Sequence, residues 1–88
     1  MKFKNGFVLR RILGDAVIIA TGEAAKTFQG MVKLNETAAR ILEDANSGMS
    51  KDDIAAKMSK EYEIDIETAK GDVDTIIEEM LAAGVIEE

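Results

Sequence analysis

Apolar positions along this chain change their spacing once. Before residue 35 they form short runs rich in branched and aromatic side chains: Phe-Val-Leu-Arg-Arg-Ile over Phe7–Ile12 and Ala-Val-Ile-Ile-Ala-Thr over residues 16–21. Such side chains suit the pleated, half-buried surface of a sheet, and Leu13-Gly14-Asp15 between the runs predicts a hairpin. Residues 22–30 are mixed and bounded by glycines, which predicts a loop, and Met31–Leu34 then reads as a short third strand. Alternation places Met31 and Lys33 on one face of that strand and Val32 and Leu34 on the other, the latter expected toward the helices.

From Asn35 onward the apolar positions recur every three or four residues. Asn35 is a helix cap, followed by Ala38, Ala39, Ile41, Leu42 and Ala45 on one face, with Gly48 as the stop. Ser50 and Asp53 form a capping pair ahead of Ile54, Ala55, Met58 and Tyr62. Asp65 caps a third helix with apolar Ala69, Val73, Ile76, Ile77, Met80 and Leu81; Gly84 ends it, and Val85 and Ile86 are expected to fold back and pack. Strands followed by helices define an α+β class. The short links fit a winged-helix-like unit, a three-stranded antiparallel sheet followed by three helices, with the wing at the amino end.

The 88 residues are expected to form a single domain, 1–88, since a second core would not fit. A domain this small buries roughly two thirds of its unfolded surface and has little room for a deep cavity, which weighs against a free-standing enzyme. With no Cys and no His, the usual zinc, iron–sulfur and haem ligands are missing, as are the Ser-His-Asp and Cys-His nucleophile pairs. The expectation is no catalytic residue, no metal and no cofactor. No run of about 18 apolar residues offers a membrane span. The first residues lead into a strand-like segment rather than a signal-peptide hydrophobic region, so a cytoplasmic location without a membrane partner is expected.

Charge is split along the chain. Residues 1–33 carry six basic side chains against Asp15 and Glu23, net +4, whereas residues 34–88 carry five against fifteen acidic ones, net −10. A winged-helix outline invites a DNA-binding reading with the third helix in the major groove. That helix carries Glu67, Asp72, Asp74, Glu78 and Glu79 against Lys70 alone, so a phosphate backbone would repel it and no nucleic-acid partner is expected. Asp52-Asp53, Glu78-Glu79 and Glu87-Glu88 are sequence neighbours whose side chains diverge on a helix, and they read as solubility charges. The glycines fall at turns and caps rather than in a phosphate-loop spacing, and Ser50 is a cap rather than the attachment point of an acyl carrier.

The third strand follows a loop and carries a single charge, so it can form a sheet edge whose N–H and C=O groups lie open to another chain. At Gly30-Met31-Val32-Lys33-Leu34-Asn35-Glu36-Thr37-Ala38, running into Ala39-Arg40-Ile41-Leu42, the sequence resembles the family of pyrroloquinoline quinone biosynthesis protein D, PqqD. The likeness extends over nearly the whole chain, from the Phe7–Ile12 strand to the closing Ala83-Gly84-Val85-Ile86.

The resemblance implies a winged-helix peptide-recognition domain that does no chemistry itself and holds the leader of a ribosomally made precursor peptide. In such relatives the leader adds as an antiparallel strand to the third strand and lies between it and the third helix. A separate peptide-modifying enzyme, often a radical S-adenosylmethionine protein, then acts on the rest of the precursor. Carried over by position, the backbone of Met31, Val32, Lys33 and Leu34 would pair with the leader; Val73, Ile76, Ile77 and Met80 would line or support the groove, and Asp72, Thr75 and Glu79 would rim it. The core spacing of those four apolar residues implies that at least two are buried in the domain itself. A basic patch of Arg10, Arg11 and Lys33 would attract acidic leader residues, whereas the acidic helix would favour basic ones. Two other readings stay open: a winged-helix transcriptional domain, and a homodimer formed through the open strand edge.

Overall fold

In the computed structural model, which describes residues 1–27 and 31–88, a two-residue strand β1 (Lys2–Phe3) precedes the expected hairpin of β2 (Phe7–Ile12) and β3 (Asp15–Ala20). Leu13 and Gly14 alone make the turn, with φ of +52° and +86°. Positive φ at both central positions is what a two-residue type I′ turn requires, because its twist matches that of the flanking strands. A single helical turn, α1 (Ala24–Thr27), follows within the stretch expected as a loop, and the last three positions of that stretch lie outside the described residues. Gly6 admits α1 at close range: a Cβ there would lie 2.8 Å from the Ala24 Cβ and 2.9 Å from the Thr21 carbonyl oxygen.

The third long strand, β4 (Met31–Leu34), pairs antiparallel with β3, giving the sheet order β2-β3-β4. Cross-strand rows are Leu9–Ile18–Val32 and Arg11–Ala16–Leu34 on one face, Val8–Ile19–Met31 and Arg10–Val17–Lys33 on the other. The first face meets the helices: Ile18 is fully buried, and Leu9, Val32 and Leu34 pack against the same core. Met31 keeps 64% of its surface in solvent, as the alternation in the sequence requires.

The helices α2 (Glu36–Asn46), α3 (Lys51–Tyr62) and α4 (Ile66–Ala82) begin at the three capping residues read from the sequence. Asn35 Oδ1 accepts the Ala38 N–H at 2.8 Å, Ser50 Oγ the Asp53 N–H at 3.1 Å, and the Asp65 carboxylate the Glu67 N–H at 3.1 Å. Each bond satisfies a backbone donor that the first helical turn leaves without a partner. Ile41 and Leu42 of α2, Ile54 and Met58 of α3, and Val73 and Ile77 of α4 close over Ile18 to form the core, which among the described residues contains no buried polar side chain. Val85 and Ile86 fold back as expected, and the last strand, β5 (Ile86–Glu87), pairs antiparallel with β1, Lys2 opposite Glu87 and Phe3 opposite Ile86. The Phe3 N–H and Lys2 Nζ donate to Asn46 at the carboxyl end of α2, at 3.0 and 2.8 Å. Among the described residues no helix is long and apolar enough to cross a membrane.

Candidate functional site

The ladder fixes which backbone groups of β4 are open. Ile12 and Asp15 flank a two-residue turn and therefore exchange both hydrogen bonds, and at the hairpin's other end the Thr21 N–H donates to the Gly6 carbonyl at 2.6 Å. Bonded and non-bonded pairs alternate, so Val17 and Ile19 point their backbone groups at β2, while Ala16 and Ile18 point theirs at β4. Val32 and Leu34, opposite Ile18 and Ala16, are thereby committed to the sheet. The N–H and C=O groups of Met31 and Lys33 face the open side, since β4 is the terminal strand of the sheet.

Beside this edge runs a groove of about 330 Å³ between the start of α2 and the middle of α4, lined by Asn35, Thr37, Ala38 and Ile41 from one side and Asp72, Thr75 and Ile76 from the other. The strand-to-helix junction creates it, because the chain leaves β4 at Leu34 and enters α2 after the single capping residue Asn35. Ile76 is half-buried, and with the small Ala38 and the buried Ile41 it gives the groove an apolar floor. Asp72 and Thr75 are exposed at its rim, and Glu79 stands one turn beyond Thr75 on the same side of α4.

Of the apolar α4 residues expected at the groove, only Ile76 lines it. Val73 and Ile77 are 0% and 1% exposed and belong to the core, where they support the groove by anchoring α4 from beneath. Met80 is half-buried and packs against the core outside the lining. The sequence did not mark Asn35, Thr37, Ala38 and Ile41 as groove residues, because capping and core spacing already accounted for Asn35, Ala38 and Ile41. The small side chains at positions 37–38, directly after the open strand, were the available signal.

The expected basic patch is divided by the pleat. Arg10 and Lys33 flank Val17 on the outer face, whereas Arg11 lies in the row facing the helices and bonds Glu36 at 2.7 Å and Glu43 at 2.8 Å. Hydrogen bonds to Glu43 and then Glu36 hold the Arg11 guanidinium above its ordinary pKa, so its charge is permanent and already matched. Among the described residues Lys33 reaches only the exposed Asp15, at 3.5 Å. On α4, Asp74 is paired with Lys51 at 3.4 Å, but neither Asp72 nor Glu79 forms an ion pair among the described residues. The edge thus carries an exposed cation on its outer face, loosely paired with Asp15, and, among the described residues, carboxylates without an ion pair on its helix side. Among the described residues no cluster of three or more carboxylates could hold a metal ion.

The family model for coenzyme PQQ synthesis protein D (PqqD) matches residues 15–86. Two solved structures share the fold. A lasso peptide synthetase B1 complexed with the leader peptide has a TM-score of 0.83 at 20% identity, with 99% of this chain and 96% of that chain covered. TbiB1 in complex with the TbiA(beta) leader peptide has a TM-score of 0.81 at 18% identity, with 99% and 95% covered. No curated protein matches the chain.

Proposed function

The chain belongs to the PqqD family, and from that membership we propose that it is a non-enzymatic adaptor, a single recognition domain that captures the leader of a ribosomally made precursor peptide. The leader adds as a strand to β4 and is presented to a separate modifying enzyme, of the radical S-adenosylmethionine class, in the cytoplasm. The observation that carries this reading is the open backbone of Met31 and Lys33 running beside the groove between α2 and α4. Main-chain pairing supplies affinity with little demand on sequence, and the side chains of the added strand that alternate toward the groove supply selection. In this arrangement Met31 and Lys33 exchange hydrogen bonds with the leader, and Val32 and Leu34 face its inward side chains. Ile76 forms the floor with Ala38 and Ile41, Asp72, Thr75 and Glu79 form the rim, and Met80 with the buried Val73 and Ile77 holds α4 in place. The two structural neighbours are complexes with leader peptides, which supports the choice of ligand. The transcriptional alternative is disfavoured by α4, whose Asp72, Asp74, Glu78 and Glu79 are all exposed.

The test is a backbone amide NMR titration with leader peptides encoded by short reading frames beside the gene. Shifts gathered at residues 31–34 and 72–80 are expected. If these amides stay still with every leader, capture at this edge is wrong. Light scattering across concentration then asks whether the same edge forms a homodimer instead.

A further inference from the structure

Backbone pairing alone leaves one thing undetermined at this edge. A strand added to Met31 and Lys33 can slip by one residue, keep its hydrogen bonds and turn every side chain to the opposite face. The residues around β4 distinguish those two faces by charge. Side chains of the added strand that oppose Val32 and Leu34 point to the helix side, toward the apolar floor and the unmatched Asp72, with Glu79 further along α4. Side chains that oppose Met31 and Lys33 point to the outer face, where Lys33 is 71% exposed and, among the described residues, held by a single 3.5 Å contact to Asp15, itself 57% exposed.

We infer that this site reads the register of its peptide through charge: it takes a strand whose helix-facing positions carry Lys or Arg beside an apolar residue, and whose outward positions carry Asp or Glu. The inference rests on strand addition at β4 and adds to it the chemical class of the peptide. In the correct register a peptide cation meets Asp72 or Glu79 while a peptide carboxylate lies next to Lys33. In the slipped register both contacts become like-charge pairs. Arg11 plays no part, because Glu36 and Glu43 already hold it. The apolar floor of Ala38, Ile41 and Ile76 then needs to supply only general adhesion, and the charges exclude the wrong alignment.

The experiment selects short random peptides displayed on phage against the intact domain and places each binder by amide shifts. Binders at the groove are then compared with composition-matched versions in which the basic and acidic residues exchange faces. Net charge is the same in both, so bulk attraction cancels. The expected results are a basic bias at positions of one parity, an acidic bias at the other, and roughly tenfold weaker binding after the exchange. A domain carrying Asp72→Lys, Glu79→Lys and Lys33→Glu should reverse the preference while keeping its amide spectrum, since all three side chains are exposed. Groove binders with no parity bias, or equal binding of exchanged peptides, would overturn the charge reading and leave leader capture intact. If no selected peptide shifts the groove amides, strand addition falls and takes the charge reading with it.

Discussion

The sheet ends in two open edges, and they differ in what lies beside the backbone. At β2, the same alternation leaves the groups of Leu9 and Arg11 facing outward, next to a depression of about 400 Å³ lined by Phe3, Phe7, Val8, Leu9, Glu43 and Asn46. That space is the larger of the two, yet its polar groups are already engaged: Arg11 holds Glu43, and Asn46 accepts the Phe3 N–H. At β4 the flanking helix presents an apolar residue between polar side chains with no ion pairs of their own. An open edge becomes a site when its neighbouring wall has chemistry left to offer. Arginine at the β2 edge also does what charged residues commonly do on exposed strands, discouraging pairing with other chains.

Substitutions can break this contrast at several depths. The largest effect is expected from Ile77→Ala, which removes the anchor of the groove wall from a fully packed core and should lower stability by about 3 kcal/mol in urea unfolding. Proline at Val32 should cost about 2 kcal/mol, because it removes a donor committed to β3 and leaves the Ile18 carbonyl unpaired. One residue later the outcome should invert: Lys33→Pro removes an outward donor, so thermal stability should hold while leader affinity drops about tenfold in calorimetric titration. Leu9→Pro removes an outward donor at the other edge and should leave the affinity of the folded domain for leader unchanged. Weakening there equal to that from Lys33→Pro would erase the distinction between the edges. The smallest effect is expected at the turn joining β2 to β3, where Leu13 is fully exposed with φ +52°. Leu13→Asn, which tolerates that backbone region, should raise stability by about 0.5–1 kcal/mol in thermal melts without touching either edge.

Much of this arrangement is legible in the sequence because it is local. The three caps, the hairpin, and the inward turn of Val32 and Leu34 each follow from residues within a few positions of one another. Alternation also implies that half of β4's backbone groups must face outward. Which half is a non-local fact, set by the two-residue turn at Leu13-Gly14 and carried through β3. The division of α4 into core and groove is non-local as well. Val73, Ile76 and Ile77 all satisfy helical apolar spacing, and only the position of α2 decides that Ile76 meets the groove while the other two are sealed. The basic patch fails for a similar reason, since adjacent strand residues face opposite ways and Arg11 finds partners on a helix far along the chain. The helical turn at Ala24–Thr27 is too short to produce any periodicity.

The pairing of β1 with β5 sets Lys2 opposite Glu87, so the second and the penultimate residues sit about 5 Å apart. This clasp is pinned to Asn46, whereas the groove opens at the other end of α2, whose axis runs about 16 Å from Asn35 to Asn46. A linker leaving either terminus therefore starts away from the peptide's path. Fusing an enzyme there, or splicing the domain into a surface loop of one, would leave the groove clear. Catalyst and captured peptide would then meet at a local concentration governed by tether length rather than by the affinity of one protein for the other.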